Sequence, residues 1–326
     1  MESLNEEAQQ SRNLMKGMVD LERLLGRVHS IGSKKRSESH PDSRAIMYET
    51  PVYNSKKIKS FGAILEGFEN VLKVIQVYEK SKVVSPLLIR LVKSTSDGGR
   101  FPMKEISQLL SHFRSIFDEK QAKRDGTIKP KPGADPEYDQ AKEDVAKIES
   151  EFEAYLREQK KSTGINDLKF WGTNKDRFQI EVPINLCNKV PSSWCSKSQK
   201  KTHRRYWTPF IEKKLSELVE AEERLTLAQN DSMRRIFEKF DNSREMWSSA
   251  VSCCAYLDGL LSLALVSSSP SYCWPTLLPR EKDQPPVLHI HGGRHPMLEQ
   301  SLLDKGDGEY ISNTVILGGH AGQGKF

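Results

Sequence analysis

The residues best equipped for chemistry lie in one stretch, Val182 to Ile211, which contains no Asp or Glu. It carries Lys189, Lys197, Lys200, Lys201, Arg204 and Arg205. Those six charges equal the formal net charge of the whole chain, +6, so the remainder is electrically balanced. Cations without local counter-ions, interleaved with Trp194, Tyr206 and Trp207, suit a polyanion, and a nucleic-acid backbone fits best. The chemistry is electrostatic: ammonium and guanidinium groups neutralise phosphates, and nearby hydroxyls donate to phosphate oxygens. The candidate contacts are Lys175, Arg177, Lys197, Ser198, Lys200, Lys201, Thr202 and Arg204. The three aromatic residues read as the core of a small sheet rather than as stacking platforms, which favours duplex over single strand.

Other constellations offer less. Cys187, Cys195 and His203 are separated by long gaps and have no fourth ligand, a poor zinc pattern. His289 and His291 would share one face of a short strand, and with His295 they read as structural, so no metal is expected. Five cysteines, an odd number, fit reduced thiols in the cytosol or nucleus. Cys253 and Cys254 read as small core residues of a helix. No run of 18 apolar residues occurs, so no membrane-spanning segment is expected. The acidic, polar N-terminus is unlike a signal peptide.

The elements that must position the basic stretch are mostly helical. Leu14, Met18, Leu21, Leu24, Leu25 and Val28 form one apolar stripe, and Phe61, Leu65, Phe68, Leu72 and Ile75 another, with loops at Gly32 to Pro41 and Ser94 to Pro102. Asp135 then Pro136 marks a helix start, with the Asp carboxylate as N-cap. Tyr138, Ala141, Val145, Ile148, Phe152 and Tyr155 follow at alternating spacings of three and four, a seam that needs a partner helix. Phe210 to Asp258, free of Gly and Pro, supplies that partner through Ile211, Leu215, Leu218 and Leu225. Glu222 interrupts the facing stripe, and Asp241 and Asn242 are the point where the long helix can break. Between the helices, Phe178, Ile180 and Val182 alternate with Arg177, Gln179 and Glu181, the pattern of a strand with one covered face. Lys169 to Trp171 is its expected partner through a turn at Thr173 to Asp176, and Trp194 to Ser198 a third strand. After Ser267, Val287 to Ile290 and Thr314 to Leu317 read as strands opening a further α/β unit. The expected fold class is therefore mainly α: a helical body, a long antiparallel helix pair carrying a small β-sheet, then the first strands of an incomplete α/β domain.

Several runs carry a family resemblance. They are HPDSRAIMYETPVYNSKKI (His40 to Ile58), LERLLGRVHSIGS (Leu21 to Ser33), GRFP (Gly99 to Pro102), PEYDQA (Pro136 to Ala141), RYWTPFIEKKL (Arg205 to Leu215) and GRHPMLE (Gly293 to Glu299). In this order they resemble the MutS family of DNA mismatch repair proteins, and most of all the mismatch-sensing subunit of the eukaryotic MutSα heterodimer. The resemblance implies a lever domain at 1–134, a clamp at 135–212, returning lever helices at 213–274 and the start of an ATPase domain at 275–326. It also implies double-stranded DNA and a second MutS homologue as partners, and a nuclear location. The family's mismatch-reading and connector domains would precede the lever, and the first fourteen residues carry no resemblance, so Met1 reads as an artefactual or alternative start.

In the complete family ATP and magnesium are cofactors; none is expected to act in this chain. Tyr310, followed by Ile311, falls where the family has an aromatic residue stacked on adenine. Packing of an exposed Tyr on the sheet is the competing reading. Gly319 to Lys325 fits seven positions of a phosphate loop, but Phe326 stands where a hydroxyl must hold magnesium. The alternative function, from another class, is a structural coiled-coil interaction protein whose basic patch is a solvated face. The chain is expected not to turn over ATP in a steady-state assay. Turnover above background that is lost in Lys325→Ala would overturn this reading.

Overall fold

The computed structural model describes residues 5–33, 35, 50–79, 81, 83–268, 272–279, 286–306 and 308–318. Gly319 to Phe326, most of the Gly32 to Pro41 loop and the first part of the His40 to Ile58 run therefore lie outside the described residues. Contacts divide the chain into two units, Met1–Leu265 and Val266–Phe326.

Among the described residues the body of the first unit includes α1 (Asn5–Met15), α2 (Leu21–Gly32), α3 (Thr50–Gln76), α4 (Pro86–Val92), α5 (Met103–Ser115) and α6 (Glu119–Asp125). The stripe from Leu14 to Val28 is split between two helices. Gly17, at φ +77°, turns the chain, and the Asp20 carboxylate then caps α2 by accepting from Arg23 N at 2.9 Å. The second stripe lies in α3, where Phe61, Leu65, Phe68 and Ile75 are fully buried. Gly32 ends α2 rather than opening a loop. A Cβ there would stand 2.8 Å from Glu238 N and 2.9 Å from Phe237 C, so only glycine lets the two backbones approach this closely.

The long pair is α7 (Pro136–Thr163) and α8 (Pro209–Asp241). They run antiparallel: Asp135 meets Arg235 at one end and Tyr155 stacks on Phe210 at 4.1 Å at the other. Phe152, Ile211 and Leu218 are fully buried along the seam, joined by Val145, Ile148 and Leu215. The long helix does break, after Asp241, and α9 (Arg244–Ser267) follows. The break leaves the Phe240 carbonyl to accept from Trp247 Nε1 at 3.0 Å, while the two rings stack at 4.5 Å. Phe237 and Phe240 of α8 close on Phe61 at 4.7 and 5.2 Å, so the Arg235 end of the stalk is part of the body's core. Helix α9 is long and apolar enough, by length and composition, to cross a membrane, although the sequence has no uninterrupted apolar run of 18 residues. Its Trp247, Ala250, Val251, Cys253, Cys254, Leu257 and Leu261 are buried in the body's core, while Tyr256, Leu263 and Leu265 are exposed. Burial pushes the Cys254 thiol up to about 11, which keeps it protonated and unreactive at neutral pH.

Asp135 occupies the N-cap position of α7 without making the expected cap bond. Its carboxylate instead takes Arg235 Nε at 2.9 Å and Nη2 at 2.7 Å, in a pair almost wholly removed from solvent. Arg235 also donates to Glu137, Asp231 and the Ala228 carbonyl. Burial alone would push the Asp135 carboxyl up, but the bonds and charge of Arg235 outweigh it and hold the group below its ordinary range.

The second unit holds β5 (Leu288–Gly293), α10 (Pro296–Lys305) and β6 (Asn313–Leu317), with β5 and β6 antiparallel. The strands expected near Val287 and Thr314 are thus present.

Arg235→Ala leaves a buried carboxylate without its partner and is expected to cost about 3–5 kcal/mol in urea denaturation. The Asp135 contribution should be fully present above about pH 4, the ordinary value for an unfolded Asp, and lost as pH falls through the depressed folded value. The stability gap between the parent and Asp135→Asn is expected to narrow between pH 7 and pH 3. A constant gap would show that the carboxylate carries no such charge-dependent role.

Candidate nucleic-acid interface

At the far end of the stalk lies a four-stranded antiparallel sheet in the order β1-β2-β4-β3. The strands are β1 (Lys169–Trp171), β2 (Gln179–Pro183), β3 (Cys195–Gln199) and β4 (His203–Trp207). The first two and the third match the sequence reading. The fourth, central strand was not anticipated, because His203, Arg204 and Arg205 give it no apolar alternation. Phe178 lies outside β2, at φ +61°, in a turn that also takes Gly172 and Asn174 to positive φ. For a bulky residue this costs on the order of 1–2 kcal/mol, offset by face-to-face stacking on Phe152 at 4.1 Å.

Strand β2 is covered on both faces, not one. Ile180 and Val182 point into the seam of the stalk and are fully buried. On the other face Glu181 Oε2 accepts from Arg205 Nε at 2.9 Å and lies 2.8 Å from Nη2, with both side chains under a tenth exposed. The Arg205 guanidinium lies 3.3 Å from the centroid of the Trp171 ring. Burial pushes the Glu181 carboxyl up, but Arg205 and Lys169 hold it below the ordinary carboxylate range. One of the six cations of the acid-free stretch is therefore a fixture of the sheet. Trp194 and Tyr206 are buried edge to face at 5.9 Å, and Trp207 donates Nε1–H to the Arg177 carbonyl at 3.2 Å. The aromatic residues are sheet core.

The hairpin joining β3 to β4 presents Lys200, Lys201 and Thr202 to solvent, around an open concavity they line with Gln199. Lys200 N bonds to the His203 carbonyl at 2.8 Å, and the Thr202 carbonyl accepts from Ile184 N at 3.1 Å, so the turn is held at both sides. Arg204 lies half-buried beside it, its Nε donating to Gln199 Oε1 at 2.9 Å, and Ser198 donates to Gln179 Oε1 at 3.3 Å. Lys197, Ser198, Lys200, Lys201, Thr202 and Arg204 are thus gathered on one hairpin. Arg177 is not. It forms two bonds to Glu222, at 2.7 and 2.6 Å, that raise its pKa and tie the sheet to α8. Those bonds give a reason for the interruption of the facing stripe. Lys175 sits in the short 3-10 turn Asn174–Asp176, and its side chain lies outside the described residues.

The remaining candidates fall elsewhere. Cys187 donates its thiol to the Pro183 carbonyl, while Cys195 and His203 sit on different strands. Among the described residues, no three His, Cys, Asp or Glu are grouped to hold a metal ion. His289 and His291 are exposed on β5, and His295 caps α10, its Nδ1 accepting from Leu298 N at 3.3 Å. Tyr310 is half-buried and Ile311 exposed in the segment before β6, and the phosphate-loop-like run lies outside the described residues.

Comparison with known proteins follows the same geometry. Residues 133–224, the stalk and sheet, match the MutS family domain IV. The chain is 40% identical over 93% of its length to the chicken (Gallus gallus) DNA mismatch repair protein Msh6, covering 23% of that protein. It is 40% identical over 94% of its length to the human protein of that name, covering 22% of it. A probable Msh6 of Drosophila melanogaster is 34% identical over 96% of the chain, which covers 26% of it. The chain thus spans about a quarter of the length of the curated relatives it matches. A domain match confined to the helix pair and its sheet, set within likeness that runs along nearly the whole sequence, establishes that this chain belongs to the MutS family.

Proposed function

We propose that this chain acts in DNA mismatch repair, holding duplex DNA by its backbone through the hairpin at the end of the stalk. The single observation that carries the reading is the exposed Lys200–Lys201–Thr202 turn, at the tip of a stretch with no carboxylate of its own. In this reading residues 135–212 are a clamp, the flanking helices at 1–134 and 213–274 a lever, and 275–326 the start of an ATPase domain. Lys200 and Lys201 are the primary phosphate contacts, with Arg204, Ser198 and Thr202 beside them and Lys175 near the opposite turn. A second MutS homologue is the expected partner, the nucleus the expected location, and ATP and magnesium the cofactors of the complete assembly, with adenine at Tyr310 and Ile311. A structural coiled-coil protein would need the same stalk but gives no reason for an acid-free tip.

Of the six cations, Arg205 is buried in the sheet and Lys197 is ion-paired, which leaves four exposed or half-exposed. Contact with about four phosphates gives a log–log salt slope of roughly −3 to −4 for duplex binding. The triple variant Lys197→Glu, Lys200→Glu, Lys201→Glu is expected to abolish binding in an anisotropy titration. Binding by that variant as tight as the parent's would remove this surface from the interface.

Phosphate contacts fix position and carry no base information. Affinities for a G·T mismatch and a matched duplex are expected to agree within about twofold, or about 0.4 kcal/mol. A preference of tenfold or more would place a base-reading element within these 326 residues.

A further inference from the structure

The acid-free stretch is bounded by two carboxylates, Glu181 and Glu212, and each of them holds one of the six cations. Glu181 holds Arg205 in the buried pair already described. Glu212, in the first turn of α8, holds Lys197, with Oε1 2.9 Å from Nζ. The register of β3 against β4 shifts between Ser196 and Ser198, so Lys197 is the extra residue of a β-bulge. A bulge redirects a side chain out of the regular alternation. Here it sends the ammonium over the Trp207 ring, 4.7 Å from its centroid, and toward Glu212.

We infer that Glu212 is a built-in competitor for phosphate, holding Lys197 in the free protein and yielding it to the DNA backbone on binding. This rests on the duplex-binding reading above. The two pairs differ in the properties that decide exchange. The Glu181 pair brings two guanidinium nitrogens within 2.9 Å of one carboxylate oxygen, with both partners under a tenth exposed. The Glu212 pair is a single ammonium contact, with Lys197 35% and Glu212 45% exposed. An exposed pair of this kind shifts an equilibrium by only about two- to fivefold, so a phosphate at the same distance can replace the carboxylate. The lysine stem has the rotational freedom to swing, and the indole face offers the ammonium a resting place that no anion needs to vacate. Lys197 is then a cation held in reserve beside the open Lys200–Lys201 turn.

The test is a cycle of variants of the 326-residue chain titrated with matched duplex at one low salt concentration. Glu212→Gln is expected to tighten binding about two- to fivefold, and to have no effect when Lys197→Ala is also present. Glu212→Asp keeps the charge but withdraws the carboxylate by one methylene, and is also expected to tighten binding. A gain that persists in the Lys197→Ala background, or that Glu212→Asp lacks, would make the effect one of general charge and overturn the inference. No gain from Glu212→Gln, with Lys200→Glu/Lys201→Glu still losing affinity, would overturn the competitor and leave the duplex reading standing. If the latter double variant also binds like the parent, the duplex reading itself fails.

Discussion

The bond network of Arg235 is the constraint on which the stalk depends. A guanidinium and a carboxylate, a hundred residues apart in sequence, meet with almost no solvent access, and the two helices that carry the sheet are joined there. Breaking such a pair leaves a charge in a poorly solvated place, which is why it fixes geometry more firmly than its net energy suggests. Asp135 stands at the positive end of α7, so the helix itself supports its charge. One turn further along α8, Phe237 and Phe240 enter the aromatic cluster around Phe61. Body and stalk therefore share one helix, and Arg235 lies where the shared helix passes from one to the other.

The same economy of charge governs the sheet. Its cations fall into three environments: Arg205 and Arg177 are locked by carboxylates, Lys197 is held loosely by one, and Lys200 and Lys201 face solvent. Net charge alone does not distinguish them. What does is the position of each strand residue relative to Glu181, Glu212 and Glu222, together with the bulge that displaces Lys197 by one place in the ladder. Among the described residues, the cations at the turn meet no carboxylate of the sheet or of α8; Lys200 has only the Trp171 ring, 5.8 Å from its Nζ.

Much of the frame was legible in the sequence. The seam from Tyr138 to Tyr155 and the strand pair at Lys169 and Gln179 follow from spacing, because apolar periodicity survives translation into helices and strands. The break at Asp241 follows from the Asp-Asn pair there. The failures have a common physical origin. Strand β4 hides because its outer residues are charged and its partner on the other side is another strand. Arg205 reads as a surface cation because the carboxylate and indole that enclose it come from β2 and β1. Asp135 reads as a cap because local spacing cannot show an arginine a hundred residues away. Gly32 reads as a loop signal, although its missing side chain admits the backbone of α8. In the candidate interface, the residue types were legible and their division between structure and solvent was not.

The length of α8 converts small angles into large displacements. From Arg235 to Thr208, where the sheet begins, is about 27 residues, or about 40 Å of helix. A tilt of about 5° at the root would move the hairpin by about 3.5 Å, which is close to one base-pair step along DNA. On the proposed duplex-binding reading, angular play of even that size would slide the Lys200–Lys201 turn from one phosphate toward the next. The packing of Gly32 against Glu238, one turn from Arg235, acts as a fulcrum bearing with no side chain to compress. Any play of that bearing is therefore felt some 40 Å away, at the tip.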